Sequence, residues 1–156
     1  MIFYRITSCD RVNDLSGEGA YLYGGRWNSK GTRILYTAEN MALSMLEALA
    51  HITMVNQQRS YCRIVMELIT EEPYSKYMEE INTDQLPSDW RNSPEPDALK
   101  TIGDAFIAEG KMFALKVPSV LAPDSYNYLL NPNHEMFGMM KIIQSDEVKF
   151  DQRLIS

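Results

Sequence analysis

The sequence predicts an α+β fold in a single domain over residues 1–156, because strand-like and helix-like segments are interleaved without a regular βαβ rhythm. Residues 61–69 alternate so that every second side chain is apolar, which is typical of a strand with one buried face. Residues 40–52 consist largely of strong helix formers. Residues 97–109 place apolar side chains at helical spacing and end at Gly110, a favourable helix terminator. We therefore expect mixed small sheets flanked by helices.

The remaining elements are shorter and are separated by turn residues. Residues 2–7 and 33–37 are interpreted as strands, with a loop-like stretch over 8–32 between them, and residues 73–81 as a short helix. The C-terminal third is predicted to contain strands at 112–117, 126–130, 141–144 and 148–154, and a helical turn at 134–139. The stretch 82–96 is rich in Asn, Asp, Ser and Pro and predicts a long loop, which suggests a lid or a partner surface.

Length and charge narrow the function classes. A chain of 156 residues can bury the core of one domain, and 45% hydrophobic with 23% charged residues is ordinary for a globular protein. The net charge is −6 and no run of Lys or Arg is long, so we expect no direct binding to nucleic acid or to an anionic membrane. A small anionic ligand stays compatible, because a local pair of arginines can offset the global charge.

Targeting and metal signals are weak throughout the chain. No apolar run reaches the length needed to span a bilayer, and the first residues lack the order of a signal peptide. Cys9 and Cys62 alone do not make a disulfide framework, so we expect a reducing cytoplasm. Two His and two Cys, none of them in ligand spacing, predict no metal site.

The most informative segment is glycine-rich and precedes the second strand. Turns need Gly and Asn28 for their backbone conformation, but they need neither Arg26 nor Trp27. Gly25 lets a ligand approach the backbone, Arg26 offers a planar fork to phosphate or carboxylate, and Trp27 offers a packing or stacking face. Taken alone, the segment is more typical of a surface loop whose tryptophan packs into the core.

The helix over 40–52 carries polar residues on one narrow stripe. At 100° per residue, Ser44, Glu47 and His51 fall within about 60° of one another, among Met, Leu and Ala. An ordinary solvent-exposed face is one interpretation. The other is that the lone carboxylate of Glu47 is partly buried and points into a functional site.

Several further residues gain meaning from their order along the chain. Taken singly, Arg5 is typical of an exposed edge strand, Tyr36 of core packing and Ser119 of a turn. Together the ordered set resembles the RES domain family, which is named for its Arg, Glu and Ser. The resemblance extends from Tyr4 to Leu154 and is carried by Arg5, Gly24-Gly25-Arg26-Trp27-Asn28, Tyr36-Thr37, Glu47, Val117-Pro118-Ser119, Asn127-Tyr128-Leu129-Leu130-Asn131-Pro132, His134 and Asp151-Gln152-Arg153-Leu154.

The resemblance implies a fold similar to that of ADP-ribosyltransferases and a type II toxin that depletes NAD⁺ and arrests growth. Cleavage of the nicotinamide–ribose bond builds positive charge on the ribose, so a placed carboxylate, Glu47, would stabilise the transition state. Arg5 and Arg26 would hold the diphosphate, and inorganic phosphate if that is the nucleophile. NAD⁺ is then a consumed substrate and no cofactor is implied, in agreement with the absence of a Gly-x-Gly-x-x-Gly motif.

The resemblance also implies roles for the remaining site residues. Tyr36 would stack on or enclose the nicotinamide ribose, while Ser119 and Asn127 would bond ribose hydroxyls or the amide. Trp27 and Asn28 would shape the glycine-rich segment. Gly25 and Ser44 complete the predicted substrate-binding set.

The partners and the acceptor stay open at the level of sequence. The resemblance implies an Xre-like DNA-binding antitoxin that blocks the pocket, and a homodimer is left open. Water, phosphate or a protein could accept the ADP-ribose. The alternatives are therefore a mono-ADP-ribosyltransferase that acts on a protein, and a non-catalytic module that binds a nucleotide or partner.

Overall fold

Seven strands and three α-helices are present in residues 1–52 and 59–154, the part of the chain that the computed structural model describes. The strands are β1 (Ile2–Ser8), β2 (Leu35–Ala38), β3 (Tyr61–Leu68), β4 (Met78–Glu80), β5 (Ala114–Pro118), β6 (Tyr126–Leu130) and β7 (Met140–Val148). The helices are α1 (Glu18–Tyr23), α2 (Met41–His51) and α3 (Asp97–Glu109).

All seven strands join in one sheet with the order β4-β5-β6-β2-β1-β3-β7. Neighbouring strands are antiparallel, except that β4 runs parallel to β5. The α+β class is confirmed, and the strands that we expected in small sheets form a single mixed sheet. The consequence for function is that β1, β2 and β6, which carry predicted site residues, are adjacent in the centre.

Capping residues explain where α2 begins and where α3 ends. The Asn40 side chain accepts a hydrogen bond from the Leu43 N–H at 2.8 Å, which caps the first turn of α2. Gly110 has a φ of 63° and ends α3, a left-handed conformation that glycine adopts without steric cost. Helix α2 packs against β1 and β2, so its polar stripe lies beside the centre of the sheet.

The core occupies both faces of the sheet, because alternate residues of β5 and β6 point to opposite sides. One cluster is formed around β1, β3 and the aromatic rings of Phe3 and Phe113. The other packs the glycine-rich segment, the 82–96 loop and α3 onto β5 and β6, through Trp27, Ile34, Leu86, Trp90, Leu99, Phe106, Leu115, Val117 and Leu129.

Three sequence predictions are wrong in detail. Residues 73–81 form a 3-10 turn at Tyr74–Lys76 followed by β4. This strand is stabilised by pairing with its parallel partner β5. That partner is remote in sequence, so local propensity does not predict the strand. The 8–32 stretch contains α1, and residues 148–154 end in a 3-10 turn at Gln152–Leu154 where we expected a strand.

The cysteines also differ from expectation. Cys9 and Cys62 form a disulfide, with Cα atoms 4.9 Å apart, although two cysteines alone did not predict a disulfide. The antiparallel register explains their proximity: Thr7 lies opposite Cys62, and the chain turns immediately after β1. Separately, no helix in the described part of the chain is long and apolar enough to cross a bilayer.

Candidate active site

A cleft of about 670 Å³ opens beside the centre of the sheet. Its walls come from β1, the glycine-rich segment, β2, α2, β6 and the 82–96 loop. Most of the predicted site residues line it: Arg5, Gly25, Arg26, Trp27, Tyr36, Ser44, Glu47 and Asn127. The other two predicted residues, Asn28 and Ser119, do not line the cleft but are hydrogen-bonded to residues that do.

Glu47 is the central acidic group of this cleft. It lies in the middle of α2, and Ser44 and His51 of the same stripe also line the cleft. The Glu47 Oε1 atom accepts a hydrogen bond from Ser119 Oγ at 3.0 Å and one from Asn127 Nδ2 at 2.6 Å. The polar stripe of α2 therefore faces the cleft, and its carboxylate is bonded to the sheet.

The two donors to Glu47 are brought together by the pairing of β5 with β6. Val117 lies opposite Asn127 in that antiparallel ladder, and Ser119 follows the end of β5. The glutamate side chain is flexible on its own, and hydrogen bonds from two neighbouring chain segments restrict its carboxylate to one position. Neither donor uses the second carboxylate oxygen, Oε2, of Glu47.

Ser119 is hydrogen-bonded both to Glu47 and to the backbone that follows β5. Its side chain is buried, and its Oγ atom accepts N–H bonds from Leu121 at 3.1 Å and Ala122 at 3.2 Å. A hydroxyl has one proton to donate, and here that proton points to Glu47. The Asn127 amide acts in the same way, while its Oδ1 atom is buried and has no hydrogen-bond partner among residues 1–52 and 59–154.

Arg5 brings a cation to the same cleft from β1. Burial lowers the pKa of the Arg5 guanidinium, and the nearby Asp14 carboxylate partly opposes that effect. Its Nη1 atom donates to the Asp14 carbonyl oxygen at 2.9 Å. Because an arginine stays protonated at neutral pH even when its pKa falls, the cleft contains a fixed positive charge.

Tyr36 ties the glycine-rich segment to β2. The Tyr36 hydroxyl accepts the Trp27 N–H at 3.1 Å and donates to Asn28 Oδ1 at 2.7 Å. Burial raises the pKa of the Tyr36 phenol, so the hydroxyl stays a neutral donor. A Cβ atom added to Gly25 would lie 2.7 Å from this hydroxyl, so glycine is required where the segment approaches Tyr36.

Asn28 and Trp27 support the segment from within the protein. Asn28 is fully buried, and its Nδ2 atom donates to the carbonyl oxygens of Ala20, Ser29 and Thr32. Trp27 is buried against α3, where a Cβ atom on Gly103 would lie only 1.7 Å from the Trp27 carbonyl oxygen. Both residues thus shape the segment.

Arg26 has a contact that sequence reasoning missed. Its Nη1 atom donates to the carbonyl oxygens of Trp90 at 3.0 Å and Asn92 at 3.1 Å, both in the 82–96 loop. Trp90 is buried in the core, so this loop is anchored along its middle. The loop is therefore a fixed wall of the cleft in this structure.

That wall adds side chains that the sequence did not single out. Arg91, Ser93 and Glu95 line the cleft from the 82–96 loop, and Val120 and Leu121 line it beyond β5. The length of the loop was the only signal, and it did not indicate which residues face the cleft. No group of three or more His, Cys, Asp or Glu within the described residues is placed to hold a metal ion.

Comparison with known proteins matches residues 2–151 to the RES domain. The chain belongs to the RES domain family. It is 35% identical over 156 residues to Toxin Res of Yersinia enterocolitica, a match that covers 99% of each chain. It is also 30% identical to the Prs ADP-ribosylating toxin of a Sphingobium species, over 98% of this chain and 96% of that one. These relatives place the chain in a family of toxins.

The fold has a counterpart among solved structures. The crystal structure of the M. tuberculosis MbcT–MbcA toxin–antitoxin complex contains a chain that matches this RES protein with a TM-score of 0.73. The match covers 95% of this chain and 84% of the other at 20% sequence identity. At that identity the likeness shows a shared fold.

Proposed function

We propose that this RES protein is the toxin of a type II toxin–antitoxin pair and that it consumes NAD⁺ by cleaving the nicotinamide–ribose bond. The observation that carries this proposal is the Glu47 carboxylate, bonded by Ser119 and Asn127 at a cleft of about 670 Å³. Ligand-binding clefts typically have volumes of several hundred cubic ångströms, so a cleft of this volume is compatible with binding of NAD⁺. The Sphingobium relative, named as an ADP-ribosylating toxin, supports the same substrate class.

Glu47 suits the charge that develops in this reaction. As the bond to nicotinamide breaks, positive charge builds at the anomeric carbon of the ribose, and nicotinamide leaves as a neutral molecule. No general acid is needed, and a carboxylate held beside the anomeric carbon stabilises the transition state. Ser119 and Asn127 hold Glu47 Oε1, so Oε2 is the oxygen that we assign to the substrate or its attacker.

The cations of the cleft would hold the other end of the substrate. Arg5 and Arg26 both line the cleft. The planar guanidinium of Arg5 matches the geometry of phosphate oxygens, whereas Nη1 of Arg26 is bonded to the backbone of the 82–96 loop. Tyr36 would present its ring to the nicotinamide ribose, since its hydroxyl is already bonded to Trp27 and Asn28. The substrate would then lie with its reacting bond near α2 and its diphosphate near the arginines.

Product analysis tests this proposal. The purified protein is incubated with NAD⁺, with and without inorganic phosphate, and the products are identified by mass spectrometry. We expect nicotinamide together with ADP-ribose if water attacks, and nicotinamide with a phosphorylated ADP-ribose if phosphate attacks. The Glu47→Gln variant is the control. If the wild-type protein releases no nicotinamide under either condition, the proposed reaction is wrong.

A protein acceptor is the second candidate, because one relative is named for ADP-ribosylation. The same cleft would serve, and the acceptor would dock at its mouth. Incubation with NAD⁺ radiolabelled in the adenylate part separates the two activities. Label transferred to a macromolecule supports the transferase, whereas label found only in small molecules excludes it. A non-catalytic module would release no nicotinamide and would leave growth unaffected on expression without an antitoxin.

We further propose an Xre-like DNA-binding antitoxin as partner and a cytoplasmic location, where NAD⁺ is available. The location rests on the substrate alone, because the Cys9–Cys62 disulfide removes the argument from cysteine usage for a reducing compartment. The matched M. tuberculosis structure is a toxin–antitoxin complex, and the net charge of −6 suits a partner with basic contact segments. A partner that covers the cleft would abolish NAD⁺ turnover in the purified complex, and stripping it away would restore turnover. Equal turnover by the complex and the free chain would exclude this mode of inhibition.

A further inference from the structure

The 82–96 loop places the side chain of Arg91 at the cleft. The loop is anchored by two buried apolar side chains, Leu86 and Trp90, which pack in the same core cluster as Trp27. Arg91 directly follows the buried Trp90, and it lines the cleft. The position of its Cα atom is therefore fixed by core packing next to the cleft.

Arg26 fixes the backbone on both sides of Arg91. The Arg26 Nη1 atom donates to the carbonyl oxygens of Trp90 and Asn92, the residues immediately before and after it. A guanidinium is a rigid planar donor, so these two bonds hold three consecutive residues of the loop against the glycine-rich segment. The geometry gives Arg26 a structural task that uses one of its nitrogens.

The Arg91 side chain is oriented by its own neighbour. Its guanidinium carbon lies 4.4 Å from the centroid of the Trp90 ring, a cation–π contact. A cation–π contact engages the positive charge of the guanidinium and not its N–H donors, so those donors stay available to a ligand. Among the residues that the structure describes, Arg91 forms no ion pair, whereas Glu95 of the same wall is paired with Lys100 at 3.3 Å.

We propose that Arg91 binds the diphosphate of the substrate and that Arg26 is the positioning residue that holds Arg91 in place. This inference rests on the proposed function, because it takes a dinucleotide as the ligand. Arg5 approaches from β1 and Arg91 from the loop, so the phosphate oxygens lie between cations on two walls of the cleft. Charge-assisted hydrogen bonds from two directions restrain the diphosphate and leave the ribose to Glu47.

Binding of ADP-ribose tests the assignment without a reaction. Isothermal titration calorimetry compares the wild type with Arg91→Gln, Arg91→Lys and a control, Arg153→Gln, which removes the same charge from an exposed C-terminal position. We expect Arg91→Gln to raise the Kd for ADP-ribose about tenfold, since a hydrogen bond to a charged group is lost. Arg91→Lys should recover part of that loss, and Arg153→Gln should bind like the wild type. In NAD⁺ turnover, Arg91→Gln should raise KM by a similar factor and change kcat little.

Arg26→Gln separates positioning from contact. If Arg26 acts through the loop, the double variant Arg26→Gln/Arg91→Gln should bind ADP-ribose no more weakly than the weaker single variant. Additive losses would instead give Arg26 an independent contact and overturn its positioning role. If Arg91→Gln binds ADP-ribose within twofold of the wild type, the assignment of Arg91 is overturned. The assignment is also overturned if Arg91→Gln weakens only the ability of inorganic phosphate to compete with ADP-ribose and leaves the binding of ADP-ribose itself unchanged. If the wild type itself does not bind ADP-ribose, the assignment of Arg91 fails, whereas the proposed function is decided separately by the release of nicotinamide from NAD⁺.

Discussion

The cleft has two walls that are built on different principles. On the carboxylate wall, formed by Glu47, Ser119 and Asn127, side chains from a helix and two strand ends bond directly to one another. On the arginine wall, formed by the glycine-rich segment and the 82–96 loop, irregular backbone is held by buried tryptophans and by bonds to carbonyl oxygens. Glu47 thus stands on a regular helix, whereas Arg26 and Arg91 stand on packed loops.

This difference implies different responses to mutation. Substitutions on the carboxylate wall should change the rate of the reaction and leave the fold intact, because few backbone groups depend on those side chains. Substitutions that disturb the arginine wall should first lower the free energy of unfolding, because its backbone is itself part of the core. Three changes test this comparison, taken from the largest expected effect to the smallest.

The largest effect is expected for Glu47→Gln. An amide in place of the carboxylate keeps the shape and can still accept a hydrogen bond from Ser119, but it removes the negative charge. Loss of one group that stabilises transition-state charge costs roughly 10²-fold or more in rate, so NAD⁺ consumption should nearly disappear. Steady-state kinetics measures the rate, and circular dichroism with thermal melting checks the fold.

Glu79→Gln is the matched control for this variant, because Glu79 is an exposed glutamate on β4 and does not line the cleft. It should consume NAD⁺ at the wild-type rate. If Glu47→Gln retains activity within a few-fold of the wild type, the carboxylate has no role in the chemistry. In that case the carboxylate wall is merely structural.

An intermediate effect is expected for Gly103→Ala, which targets the arginine wall. The added methyl group would lie 1.7 Å from the Trp27 carbonyl oxygen, so α3 must move away from the glycine-rich segment. Such overpacking typically costs about 1–3 kcal/mol in the free energy of unfolding. Urea denaturation measures this cost.

Gly19→Ala in α1 is the control, because an added Cβ atom there meets nothing within 4 Å. Alanine at an open helical position should raise the free energy of unfolding by roughly 0.5–1 kcal/mol. The two glycine variants should therefore change stability with opposite sign. Equal effects at both positions would show that α3 does not support the arginine wall through this contact.

The two walls also differ in how far the sequence predicts them. Periodicity grouped Ser44, Glu47 and His51 on one stripe of α2, because a helical stripe is a local property of the chain, but it left open whether that stripe faces solvent or a site; in the structure all three residues line the cleft. The bonds that Ser119 and Asn127 make to Glu47 depend on the register of β5 with β6, which no local pattern encodes. Ser119 and Asn127 were singled out by the family resemblance, and their hydrogen bonds to Glu47 are visible only in the structure.

The arginine wall shows the complementary limit. The composition of 82–96 correctly predicted a loop, but it could not show that Trp90 is buried or that Arg26 bonds to the loop backbone. Strand β4 was missed for the same reason, since its parallel partner β5 is remote in sequence. Long-range pairing decides the irregular parts of this fold, and local propensity decides α2 and α3.

The smallest effect is expected for Tyr36→Phe. Tyr36 lies on β2 and bonds to the glycine-rich segment of the arginine wall. The variant keeps the aromatic ring but removes the hydroxyl that accepts the Trp27 N–H and donates to Asn28. Both partners lie in the buried part of the segment, and leaving buried polar groups unpaired should lower the free energy of unfolding by about 1–2 kcal/mol.

The ring and the hydroxyl of Tyr36 should have separable roles. If the ring faces the ribose and the hydroxyl only anchors the glycine-rich segment, Tyr36→Phe keeps kcat within a few-fold of the wild type. Tyr36→Leu loses the ring as well and should lower kcat further at a similar cost in stability. Kinetics and urea denaturation of both variants decide between the roles. A large fall in kcat for Tyr36→Phe, with unchanged stability, would mean that the hydroxyl takes part in the chemistry. Tyr36 would then act with Glu47 in the reaction and would not be an anchor of the glycine-rich segment.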